Sequence, residues 1–182
     1  MSLAVQKFQQ SVAEYILFLW QMEDLVRAVY FDTEALRDFI RSYTPDDSAF
    51  NAEKEWFDRL VATMRREGVE QKGHVTEVHE LIFELNYLHN TLLNILKEKE
   101  YIELYRIAQP NMEEYKNKAD GKITNDVEIC LTALYGLLML RLKKEPVSNE
   151  TAEAMKTFSD LLARLSYHYK MMKQGEVNYS LN

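Results

Sequence analysis

Between Ile129 and Leu140 the chain reads Ile-Cys-Leu-Thr-Ala-Leu-Tyr-Gly-Leu-Leu-Met-Leu, and Thr132 is its one plainly polar residue. A helix with this sequence presents apolar side chains in every direction. Such a helix belongs at the centre of a bundle, with other helices covering it on all sides. The run predicts a helix over about 123–143, with Gly136 letting a neighbouring backbone come close at some cost in helix propensity. It falls well short of the roughly 20 apolar residues that span a bilayer, as does the shorter run Tyr15–Trp20.

The rest of the chain supplies the covering helices. Five Gly and three Pro are few for 182 residues, and a sheet protein would need more turn punctuation. Val12, Ile16, Leu19, Glu23, Val26 and Tyr30 recur at three- and four-residue steps, which predicts a first helix from Leu3 to Val29. Asp32 or Thr33 caps a second, shorter helix, which Pro45 ends. Asp47 or Ser48 opens a third, carrying Glu53, Trp56, Phe57, Leu60, Val61 and Met64 to a stop at Gly68. A fourth begins near His74 and reaches Ala108 on a stripe of Val78, Leu81, Ile82, Leu85, Leu88, Leu92 and Leu96. Pro110 interrupts that pattern, leaving Met112–Lys118 as a short turn before Asp120-Gly121. Ser148 and Thr151 precede the last helix, which Gly175 closes, with 176–182 as a frayed tail. The expectation is all-α: one domain over 1–182, an irregular up-and-down bundle of about six or seven helices around the apolar one.

Charge narrows the function classes. Asp and Glu outnumber Lys and Arg by 29 to 22, a net charge of -7, so nucleic-acid binding is not expected. Cys130 is the single cysteine and has no intramolecular partner, which fits a reducing compartment. With no secretory pattern at the N-terminus, the expected location is the cytoplasm.

Two polar residues interrupt apolar stripes. Glu23 lies between Leu19 and Val26, where a carboxylate is costly unless paired, and Arg27 follows at i+4. One reading is an acid or base in a pocket; the other, favoured one is a structural ion pair. His89 sits beside Leu85, Leu92 and Leu93, and a lone core histidine is more often satisfied by hydrogen bonds than catalytic. If the first and fourth helices pack together, Glu23 and His89 meet. Asn86, Asn90 and Asn94 form a row at i, i+4, i+8 that suits a ligand or a polar strip between helices. Arg65, Arg66 and His74 surround a glycine-bracketed loop that could receive an anion, the bland alternative being an offset to a helix dipole.

Named helical enzyme patterns fail on spacing. No Glu-x-x-His occurs, which a di-iron bundle needs, and no His-Glu-x-x-His. Glu77, Glu80 and Glu84 resemble half of the acidic magnesium motif of helical nucleotide pyrophosphohydrolases. No Glu-x-x-Asp follows them, and they lie on the polar side of the wheel. Arg164 and His168 have one residue too few between them for a helical ribonuclease. No metal or other cofactor is expected.

Four stretches together carry a resemblance. They are Ala13-Glu14-Tyr15 with Trp20-Gln21-Met22-Glu23-Asp24-Leu25, and Met64-Arg65-Arg66-Glu67-Gly68-Val69 with Lys72-Gly73-His74. Leu88-His89-Asn90 with Leu92-Leu93 follows, then Ala133-Leu134-Tyr135-Gly136 with Leu140-Arg141-Leu142-Lys143. In this order they resemble a Bacteroidetes family of small helical proteins labelled domain of unknown function 4924. The resemblance implies a bacterial cytoplasmic origin and brings no activity or catalytic residue with it. The leading expectation is a non-enzymatic helical interaction domain binding a protein partner or itself. The alternative is a small-molecule binder or hydrolase with a pocket near Glu23, Arg27, Asn86 and His89.

Overall fold

The structure is a computed structural model that describes residues 1–44, 46–118 and 125–175. The fold is all-α, as the periodicity predicts. Among the described residues there are eight α-helices, a π-helical turn and no strand. They are α1 Leu3–Gln10, α2 Val12–Ala28, α3 Thr33–Tyr43, α4 Asp47–Glu67, α5 Thr76–Asn90, α6 Lys99–Lys118, α7 Asp126–Leu142 and α8 Asn149–Lys173. The chain divides into two compact units between Leu81 and Ile82, within α5. Among the described residues no helix is long and apolar enough to cross a membrane.

In unit one, the expected first helix is two. Ser11 takes an extended backbone, φ -157°, and its Oγ accepts the Glu14 N–H at 3.3 Å. Its own N–H donates back to the Lys7 carbonyl at 2.9 Å, so one serine closes α1 and caps α2. The predicted stripe of α2 is buried at Val12, Ile16, Leu19, Glu23 and Val26, but Tyr30 lies past the helix and is 92% exposed. Asp32 caps α3, Asp46 caps α4, and Gly68 ends α4 in the left-handed region at φ 70°.

Unit two departs from expectation at three places. The long fourth helix breaks after Asn90 into a π-helical turn over Thr91–Ile95. There the Leu96 N–H reaches the Thr91 carbonyl five residues back, at 2.9 Å. Lys97 then enters the left-handed region, and Glu98 starts α6 by accepting the Tyr101 N–H at 2.5 Å.

Pro110 does not end a helix: α6 runs through it. The proline is exposed, so water can reach the carbonyl it leaves unbonded, while Ala108 and Met112 on either side are buried at 0% and 1%. Burial on both sides of the proline outweighs one lost hydrogen bond.

The apolar helix α7 is buried only in part. Val127, Ile129, Cys130, Leu131 and Ala133 are enclosed, whereas Gly136, Leu140 and Leu142 are exposed, Leu142 at 58%. No backbone approaches Gly136, and a Cβ built there meets nothing within 4 Å. The expectations placed on Pro45, Asp120-Gly121, Ile123 and the tail lie outside the described residues.

Candidate functional site

Glu23 points from α2 toward the segment between α4 and α5 and is fully buried. Its Oε1 accepts the Val75 N–H at 2.8 Å, and its Oε2 lies 2.6 Å from Nδ1 of His74. Trp20, one turn earlier on α2, stacks on the His74 ring with centroids 4.9 Å apart. Arg27 does not pair with Glu23. Its guanidinium donates to the Val69 carbonyl at 3.1 Å, to the Gly73 carbonyl, and to Asp24 at 3.0 Å. The two side chains are matched separately: the segment gives Glu23 an amide and an imidazole, and gives Arg27 two carbonyls.

The expected anion cradle is occupied by the protein's own carboxylates. Of the amides that open α5, Val75 is taken by Glu23 and Thr76 donates to Oε2 of Glu67 at 2.6 Å. That backbone bond holds the Glu67 carboxyl below the usual range. The basic residues go to separate partners. Arg65 lies over the Phe31 ring at 5.4 Å, Arg66 bonds Thr63 at 3.2 Å and Glu67 at 3.4 Å, and His74 goes to Glu23.

His89 belongs to a second buried cluster, in unit two. Its Nδ1 lies 2.7 Å from the Tyr101 hydroxyl, and its Nε2 is 3.8 Å from Oδ2 of Asp126. Asp126 also accepts from the Tyr105 hydroxyl at 2.9 Å and from Nζ of Lys116 at 3.0 Å. The cluster joins α5, α6 and α7. Burial depresses the His89 pKa, with Asp126 pulling the other way. Burial and the bond to Asp126 push Tyr105 up to about 12. Burial also raises the Cys130 thiol, whose Sγ lies 3.6 Å from Sδ of Met112, so the group stays protonated and packs as a small hydrophobe.

Glu23 and His89 are thus each satisfied inside their own unit. Asn86 is half-buried and its carbonyl accepts from the Asn90 side chain at 2.8 Å. Asn94 falls in the π-helical turn, where the i, i+4 alignment is lost. Sequence reasoning missed Tyr101, Asp126 and Lys116, and also Glu53. That buried carboxylate on α4 accepts the Leu3 N–H at the start of α1. Glu53 sits in the apolar periodicity of α4 as Glu23 does in α2, and that same signal would have found it. Asp126 reads in sequence only as an acid offsetting the dipole of α7.

A separate cavity of about 520 Å³ opens in unit two among α6, α7 and α8. Its lining includes Tyr115, Ala133, Gly136, Leu137, Leu140 and Met155, with Glu114, Lys118 and Glu150 among its polar residues. Among the described residues no group of three or more His, Cys, Asp and Glu side chains is placed to hold a metal ion.

The fold and these clusters define an all-α helical protein whose buried ionisable groups are engaged in tying helices and connections together. The chain belongs to the family described as Domain of unknown function (DUF4924), whose profile matches residues 1–176. No curated protein and no solved structure matches it.

Proposed function

We propose that the protein is a helical interaction domain, without catalytic machinery of its own, that binds a protein partner through unit two. One observation carries this reading. The second half of α7 is apolar on every side as far as Leu140, with Arg141 its one charged residue, yet Gly136, Leu140 and Leu142 stand exposed beside an open cavity. Leaving such a helix half in water costs about 25 cal/mol for each Å² of apolar surface, a cost that a partner's cover removes. The acid–base alternative near Glu23 draws less support, because both Glu23 oxygens and the Arg27 guanidinium are spent on the segment before α5. The four stretches of family resemblance and the single buried thiol support a bacterial cytoplasmic setting in a Bacteroidetes host.

The test is a photo-crosslinking residue placed at Leu142 and, as a control, at the exposed polar Glu80, in cells of the source organism. A discrete protein adduct at 142 and none at 80 is expected. Equal labelling at both positions, or none at 142, overturns the reading.

A further inference from the structure

The joint between α5 and α6 has an unusual backbone. The Leu96 N–H reaches the Thr91 carbonyl and the Glu98 N–H the Leu92 carbonyl, both at 2.9 Å, in place of ordinary helical bonds. Between them Lys97 holds φ 50° without being glycine. A π-helical turn followed by a left-handed residue persists only where its surroundings fix it.

Side chains fix it from two sides. The start of α6 is tied to α8, where Arg164 pairs with Glu98 at 3.0 Å and Glu100 at 2.8 Å, and His168 lies 3.9 Å from Glu98. Across the joint, His89 in the last turn of α5 meets Tyr101 in the first turn of α6, both buried, at 2.7 Å. Further back, α5 is held to α8 by Glu84, which bonds the Tyr169 hydroxyl at 2.6 Å and Lys173 at 2.9 Å.

The direction of the His89–Tyr101 bond follows from what surrounds the ring. Nε2 of His89 faces the Asp126 carboxylate of α7 at 3.8 Å, so the ring's proton belongs there; a lone pair would face a negative charge. Nδ1 is then the acceptor, and the Tyr101 hydroxyl donates to it. Burial keeps that hydroxyl protonated. Around the same ring, Tyr105 of α6 lies edge-on at 5.3 Å and is bonded to Asp126, whose other oxygen takes Lys116 of α6. Cys130 of α7, beside Tyr101, is held neutral by burial. A second proton can enter the imidazole only at Nδ1. It removes the acceptor and sets two donors against each other, beside a hydroxyl with no exposed surface to turn toward.

We infer that the α5–α6 joint is a proton-operated latch. Proton uptake by His89 breaks its bond to Tyr101 and opens the π-helical turn, while α6 stays docked on α8 through Arg164. Burial of the ring opposes that uptake in the closed joint, so acid favours the open one.

The experiment is amide hydrogen exchange on the full chain, read by NMR at Leu96 and Glu98, with Leu131 in the buried half of α7 as the reference. The two joint amides should be less protected than Leu131, with rates insensitive to low urea, which marks a local opening. An opened His89 titrates near the ordinary value of about 6.5. From about pH 7.5 to about pH 5.5 the protection at 96 and 98, corrected for intrinsic exchange, should therefore fall severalfold, and at most about tenfold. His89→Gln cannot titrate and should abolish that fall. Ring nitrogen shifts of the unaltered protein give a readout that needs no variant, and should place the neutral proton on Nε2. Joint amides as protected as Leu131 overturn the inference, because the joint then opens only with the whole unit. Protection that does not fall with pH, a fall that persists in His89→Gln, or a neutral ring protonated on Nδ1 overturns it equally.

Discussion

Glu23 and His74 lie 51 positions apart in the chain and 2.6 Å apart in space, and the amide after the histidine shares the same carboxylate. The pair fixes the approach to α5 from α2. Its polar partners are backbone and an imidazole, with Trp20 stacked across the ring. A buried carboxylate is tolerable in an apolar stripe only when its oxygens are filled in this way.

Glu23→Ala therefore leaves the Val75 N–H and the His74 ring without their acceptor. The expected loss is about 3 kcal/mol, read as a lower urea midpoint with an unchanged slope. Glu23→Gln keeps an oxygen for Val75 and should lose about half as much. Equal losses in the two variants would mean that the Val75 bond contributes nothing.

The Glu23 site was half legible in sequence. A carboxylate in the Leu19–Val26 stripe announced burial, but helix geometry alone pointed to Arg27 at i+4 as its partner. The observed partner, His74, is fixed by the path of the segment from Gly68 to Val75, which no local pattern encodes. The break at Ser11 was legible: Ser11 and Glu14 have the spacing of a capping box, hidden beneath an apolar period that continues across it. The start of α6 was not, because Glu98 is not a favoured capping residue and Lys97 takes a left-handed conformation without being glycine or asparagine. The half-exposure of α7 also lay beyond sequence, since an apolar helix reads the same whether its own chain or a partner covers it.

Stability should fall as the pH drops below about 6.5, the ordinary histidine value. Burial lowers the pKa of His89 and of His168 in the folded chain, so the unfolded chain binds more protons in this window. The neutral-histidine contribution is complete above the unfolded value and is lost as the pH falls toward the folded ones. Each histidine adds at most about 1.4 kcal/mol per pH unit. His89→Gln should flatten the dependence over this range in urea titrations at fixed salt; a slope unchanged by the substitution contradicts the assignment.

Tyr30 holds the position after the last turn of α2 where glycine is usual. Its φ is 53°, the next residue Phe31 has φ 60°, and the Phe31 N–H closes on the Val26 carbonyl at 3.0 Å. The ring is 92% exposed, so it returns little packing for its backbone strain. Tyr30→Gly should stabilise the protein by roughly 0.5–1 kcal/mol, while Tyr30→Ala, which keeps a Cβ, should be close to neutral. Melting temperatures of the two variants under one buffer decide it. A gain in both would place the strain elsewhere than in the backbone.

The two halves of α7 should respond differently to the same kind of truncation. Ile129 is fully enclosed, so Ile129→Ala removes buried methyl groups and leaves a void, at a cost of about 2–4 kcal/mol. Leu142 is 58% exposed, and Leu142→Ala should change stability by less than about 0.5 kcal/mol. The contrast separates two explanations of the apolar run Ile129–Leu140. If packing within the chain explains all of it, both ends should be sensitive in the isolated protein. If the second half waits for a partner, Leu142→Ala and Leu140→Asp should be tolerated in urea and thermal unfolding, yet Leu140→Asp should lose the crosslink placed at position 142. Folding and binding would then be read from opposite ends of one helix.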